Sequence, residues 1–212
     1  MSNRYARILA AGCAAVLAAT LGAAPALAVT TWTVKPGGGI TATSGTVTVK
    51  DTKTRTVVRC RSATASGTLN RGSGLPGSRA GSLSAVGFSR CSGPGAGDLV
   101  LALQATDLPW HVNLSSYDAA TGVVAGTVSH MQMMLSIAGC TAVIDGTSGT
   151  ASDGRVRFTY ADASGRLTVL VTTGNLHYWN VSSGCLSLIN SGDRARLGAT
   201  FTVSPEQDIT SP

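Results

Sequence analysis

The chain of 212 residues holds few side chains able to do chemistry: three histidines (His111, His130 and His177), scattered aspartates and a single glutamate, Glu206. A triad of His111 or His177 with Asp107 and a serine is chemically conceivable, because such sites assemble from distant positions. With 22 serines after residue 28, however, a serine near a histidine identifies no nucleophile. No GxSxG elbow and no histidine pair at helical metal-binding spacing occurs. Glu206 lies close to the C-terminus, so two-carboxylate glycosidase chemistry would fall to aspartates, most of which sit beside turn residues. The string Gly72-Ser73-Gly74-Leu75-Pro76-Gly77 fits GxGxxG. Pro76 and the glycines that surround it oppose the helix that a dinucleotide site requires, so it reads as a loop. The balance favours binding over catalysis, and no cofactor or metal is expected.

Binding has more to work with. Trp110 and the run His177-Tyr178-Trp179-Asn180 concentrate aromatic and amide groups. If Tyr178 points inward with Leu176, His177 and Trp179 point outward, and an exposed indole beside polar groups suits sugar or peptide recognition. Lys50, Lys53, Arg55, Arg59 and Arg61 form a basic face. Charge is unevenly laid out: residues 29–91 carry nine basic and one acidic residue, residues 92–212 five and nine. The basic half favours an anionic envelope polymer or a carbohydrate as partner, ahead of nucleic acid. Met131, Met133 and Met134 offer another possibility, the lining of a small apolar pocket inside a closed barrel.

The opening residues read as an export signal. Arg4 and Arg7 form the charged start, residues 8–21 the apolar core and Ala26-Leu27-Ala28 the cleavage site. Cys13 precedes most of that apolar core, which argues against lipidation, since a lipid-modified cysteine follows it. Residues 29–212 are then a single secreted domain, expected to be monomeric, and no later apolar run approaches the roughly 18 to 20 residues of a membrane helix. Cys60, Cys91, Cys140 and Cys185 remain, an even set in an exported chain. Three pairings are possible; sequential pairing, Cys60 with Cys91 and Cys140 with Cys185, is expected. None has the close spacing of a zinc knuckle.

The elements that must position these groups are strands. Residues 29–212 contain 24 Gly, 22 Ser and 25 Thr against 14 Lys/Arg, a composition poor in helix formers. Alternation is clean in several segments. Val47, Val49, Val58 and Cys60 face inward around a turn at residues 51–55, with Arg59 and Arg61 outward. Val156, Phe158 and Tyr160 oppose Arg155, Arg157 and Thr159, and a turn at residues 161–165 leads into Leu167, Val169 and Val171. Met131, Met133, Leu135 and Ile137 share a face, as do Leu99, Leu101 and Leu103, and Ala199, Phe201 and Val203. Asp145-Gly146 and Asp153-Gly154 supply turn chemistry, and residues 70–81 and 92–97 read as long loops. The expected fold is all-β, an antiparallel β-sandwich or up-and-down barrel of about 10 to 12 strands.

A degenerate repeat fits the same sequence. Trp32-Thr33-Val34, Gly45-Thr46-Val47, Cys60 and Cys91 recur in order as Trp110-His111-Val112, Gly126-Thr127-Val128, Cys140 and Cys185. This suggests pseudo-repeats over residues 29–108 and 109–212. Several phrases also resemble an uncharacterised family of secreted actinobacterial all-β proteins: Thr31-Trp32-Thr33-Val34 with Pro36-Gly37-Gly38, Leu108-Pro109-Trp110 with Ser116-Tyr117-Asp118-Ala119, Asn175-Leu176-His177, and Thr202-Val203-Ser204-Pro205 with Ile209-Thr210. The resemblance implies export and carries no activity. The resulting expectation is an extracellular binding or accessory module, docking on an anionic envelope polymer through the basic face; the alternatives are a carrier of a small apolar ligand and a secreted hydrolase.

Overall fold

A computed structural model describes residues 31–93, 101–137 and 139–212. The expected signal segment and Leu99 lie outside these residues. In chain order the strands are β1 (Thr31–Lys35), β2 (Gly38–Ser44), β3 (Val47–Asp51), β4 (Val57–Leu69), β5 (Gly72–Pro76), β6 (Gly81–Ser92), β7 (Ala102–Thr106) and β8 (Trp110–Asp118). There follow β9 (Val123–Ile137), β10 (Cys140–Asp145), β11 (Gly154–Ala161), β12 (Arg166–Gly174), β13 (His177–Trp179), β14 (Ala195–Ser204) and β15 (Asp208–Thr210).

Several of these segments are halves of one long strand. β2 and β3 pair with β4 in a single register, from Gly38↔Leu69 through Val47↔Cys60 to Lys50↔Val57. On the other side, β14 shifts by one residue between Phe201↔Ser44 and Gly198↔Thr48, so the break at Gly45-Thr46 is a bulge. β7 and β8 likewise share β9 as partner, interrupted at residues 107–109. β10 and β11 both pair with β9 and are separated by an excursion over residues 146–153. Asp145-Gly146 and Asp153-Gly154, expected to supply turn chemistry, bracket this excursion.

Counted as staves, eight antiparallel strands follow one another in chain order, and the β9–β11 pairing is part of the closure into a barrel. Closure selects the up-and-down barrel over the sandwich and removes the exposed edges of an open sheet. Both proposed repeat halves contribute staves to it. Their matching phrases occupy different places, Trp32 on β1 outside the barrel wall and Trp110 inside it.

A separate three-stranded sheet, β15-β1-β5, lies at the barrel end from which β2 starts and to which β4 runs. It contains β5, within a stretch whose composition reads as loop. β5 is largely exposed and pairs through its backbone, Trp32↔Leu75 and Val34↔Gly72, so no alternation marked it. Both disulfides, Cys60–Cys91 and Cys140–Cys185, form as expected. They staple the opposite end: Cys60 and Cys91 face each other in register across β4 and β6, and Cys185 belongs to the connection between β13 and β14.

Candidate functional site

Alternation places the inward side chains, but register decides which of them meet. At the stapled end Val49, Val58, Leu103, Met133, Leu135, Ile144 and Tyr178 are buried and fill the barrel. Farther along the axis the inward positions become small. Ala42 and Ala65 are directly opposed on β2 and β4, and Ala199 is opposed to Val169 on β14 and β12. A cavity of about 100 Å³ opens there, walled by Ile40, Ala42, Ala65, Phe88, Trp110, Phe158, Val169, Ala199 and Phe201 among others. No polar surface faces it. Phe158 reaches into this space across Gly126, its register partner on β9, where any Cβ would lie 2.5 Å from the ring. The wide aromatic wall thus depends on a glycine in the opposite strand.

The cap closes this chamber. Gln207 and Ile209, just before and within β15, form part of its wall. Gln207 is buried, and both ends of its amide are engaged: Oε1 accepts from the Gly37 backbone N–H at 3.0 Å and Nε2 donates to the Pro205 carbonyl at 2.8 Å. The Tyr160 hydroxyl donates to the Gln207 carbonyl at 3.0 Å and accepts from its N–H at 2.8 Å. These bonds tie the cap to β11 without exposing a polar atom to the chamber. Beside this junction, burial pushes the Asp162 carboxyl up to about 6, the Asp208 charge adds to the rise, and the Ile209 backbone N–H opposes it.

The residues singled out from sequence fall into three places. Lys50, Lys53, Arg55, Arg59 and Arg61 are all exposed on and beside β3 and β4 at the stapled end, with Lys53 Nζ 3.4 Å from the buried Asp193 carboxylate. Two cations that sequence spacing did not connect join them. Arg196 is the register partner of Lys50, and Arg90 lies on β6 opposite Arg61, between the Cys60↔Cys91 and Ser62↔Ser89 pairs. His177 and Trp179 lie on the outer face, with Leu176 and Tyr178 buried, as alternation predicts. They are half-buried: the Trp179 ring packs over Gly149 and its Nε1 donates to the Gly146 carbonyl at 2.8 Å, while His177 Nδ1 lies 2.7 Å from the Asn175 carbonyl oxygen. Trp110 is on the other side of the barrel wall, buried against the chamber, with Nε1 donating to the Thr106 carbonyl at 3.1 Å.

Other details depart from the sequence pattern. Val171 is exposed, because β12 shifts register against β11 between Val156↔Gly174 and Phe158↔Val169. Of the three methionines expected in a pocket wall, Met131 borders the chamber, Met133 is packed beyond it and Met134 is largely exposed. His130 Nε2 lies 3.5 Å from Asp107 Oδ2, and no histidine among the described residues is hydrogen-bonded to a hydroxyl. Among the described residues no helix is long and apolar enough to cross a membrane.

The chain matches no protein family, no curated protein and no solved structure. The likeness of its local phrases therefore adds nothing about activity, and the functional reading rests on the barrel itself.

Proposed function

We propose that this protein is a secreted binding module whose barrel holds one small apolar ligand, or the end of an aliphatic chain, in the chamber beneath the cap. The observation that carries this reading is an apolar void inside an otherwise close-packed wall. Side chains around a void lose dispersion partners, and at about 24 cal/mol per Å³ the space costs roughly 2 kcal/mol. A ligand would recover that energy, and an eight-stranded barrel is wide enough for one small ligand. The volume limits the guest: an engineered apolar cavity of about 150 Å³ binds benzene or xenon, so this chamber suits something of that size or less. Export agrees with the signal-like opening and with two disulfides, which persist in oxidising compartments.

Xenon titration followed by ¹²⁹Xe NMR tests the reading. Saturable binding that disappears in Ala199→Leu, with that variant's circular dichroism unchanged, supports it; an absence of binding to the native protein, or equal binding to the filled variant, overturns it.

A second reading concerns docking and rests on the enlarged basic cluster. Arg196, Lys50, Arg59, Arg61 and Arg90 extend over four neighbouring staves spaced about 4.8 Å apart. Lys53 and Arg55 continue the cluster in the adjoining turn. Such a face would hold an anionic envelope polymer at the stapled end and leave the capped end unobstructed. Retention on purified cell wall at low ionic strength, lost on raising salt, is the expected result. No retention at low salt removes this reading and leaves the chamber untouched.

A further inference from the structure

A groove on the outer face of the barrel is independent of both readings. It lies over β8, β9 and β11, where two rows of outward residues cross the three strands in register. One row is His111, Ser129 and Arg155; the next is Asn113, Thr127 and Arg157. Directly opposed side chains in such rows have Cβ atoms about 5 Å apart. The floor is held in place by its own hydrogen bonds. Asn113 Nδ2 donates to Ser129 Oγ at 2.9 Å, and Asn113 Oδ1 accepts from the Arg79 backbone N–H at 2.9 Å. Ser129 Oγ is thereby an acceptor already, and its own proton is left to be donated outward.

The backbone is bent to build this groove. Arg79, Asp107, His130 and Ser152 all take left-handed conformations, at φ of 50°, 51°, 61° and 47°. For side chains other than glycine this is unfavourable by roughly 1 kcal/mol or more each, and such residues gather at ligand sites. His130 occupies the irregularity where the β9–β11 register shifts, and its ring stacks on His111 with centroids 5.3 Å apart. The charged groups lining the groove are Arg79 and Arg155, with Arg157 in the next row, Asp107 beside His130 and Asp153 on the far wall. The Asp153 carboxylate is already engaged by the Thr147 and Ser148 hydroxyls, at 3.0 and 3.1 Å. Asp145, behind this wall, is buried and accepts from Gln132 and from the backbone of Gly146, Ser152 and Gly154. Donors therefore converge from three directions: the Arg155 guanidinium on the β11 side, the imidazoles with Arg79 on the β8 side, and a hydroxyl beneath.

We propose that this groove binds a phosphate-type oxoanion, seated over Ser129 between Arg155 and His111. Donors from several directions suit a tetrahedral anion, and guanidinium is the side chain best matched to its oxygens. The state of His111 is a built-in reporter. Burial first, then the charges of Arg79 and His130, hold its imidazole below the usual value, and an adjacent anion would raise its titration midpoint.

The test uses the full chain with its disulfides intact. Inorganic phosphate is titrated against sodium chloride of matched ionic strength while the His111 and His130 imidazole signals are followed by NMR. Saturable shifts with phosphate, a raised His111 midpoint, and affinity about tenfold weaker in Arg155→Gln but unchanged in Arg166→Gln are expected. Shifts equal to those from chloride, or equal affinity in Arg155→Gln and Arg157→Gln, overturn the proposal. A parallel titration with glycerol 3-phosphate separates the sources: tighter binding of the ester assigns the groove to a phosphorylated chain, tighter binding of the inorganic ion to free phosphate.

Discussion

At one end of the barrel Met133, Ile144 and Tyr178 lie side by side in register on neighbouring strands, buried with Leu135, and two disulfides staple the staves. At the other end, alanines at the equivalent inward positions leave a chamber, and the closure is a small sheet held to the wall by Tyr160 and Gln207. The same long strands run through both ends, so the difference lies in side-chain volume and in how the end is fastened. A close-packed, covalently fixed end gives a frame that does not need the chamber for its stability. The hollow end is fastened by hydrogen bonds and by the buried Trp32, Val34 and Ile209 of the cap, with no disulfide, and local opening draws on the least stable contacts.

The contrast is sharpest for truncations. Ile144→Ala, in the filled end, is expected to destabilise by about 4 kcal/mol, while Val169→Ala, on the chamber wall, costs about 1 to 2 because less packing is lost. Urea denaturation of the two variants checks this, and equal losses would break the distinction. Removal of either disulfide by paired Cys→Ser substitution is expected to cost about 3 kcal/mol. Hydrogen exchange should then rise at the stapled end while the cap amides remain as protected as before.

Tyr160→Phe removes both bonds to the Gln207 backbone and leaves buried groups unpaired, an expected loss of about 1 to 2 kcal/mol. Faster exchange of xenon with the chamber, with little change at Ile144, is the signature of a loosened cap. The smallest effect concerns pH. The folded-state value of Asp162 is raised to about 6 from an ordinary 3.8, so the folded form is not penalised while the carboxyl is protonated. That relative stability is lost as pH rises from about 4 through about 6, when Asp162 must ionise beside Asp208. Asp162→Asn should therefore flatten the thermal-melting profile between pH 4 and pH 7 and stabilise the cap at the upper end; an unchanged profile would remove Asp162 as the cause.

Much of the wall was legible because the period-2 signal survives local irregularity. Val47, Val49, Val58, Phe158, Tyr160 and Val203 are buried where alternation puts them, and His177 and Trp179 are outward. It failed at Val171, since a register shift inverts the face without leaving a mark in composition. The expected strand number fits eight staves and a three-stranded cap, while bulges and the excursion at residues 146–153 divide several staves into shorter segments. The candidate sites were the least legible. Ala42, Ala65 and Ala199 look like ordinary small residues, and Arg90 and Arg196 lie far from Lys50 in the chain.

The sequence by itself determined an all-β chain, the inward and outward faces of most strands, and a set of cysteines suited to sequential pairing. Those properties are local, set by the alternation of side chains along one strand and by the number of thiols. Only the tertiary structure decided that the sheet closes, that Ala42, Ala65 and Ala199 border one cavity within the closed wall, and that cations from four staves share one surface. A cavity is the difference between the space enclosed by a barrel and the summed volume of side chains from every stave. No single segment contains that quantity, and it exists only once the last strand has paired.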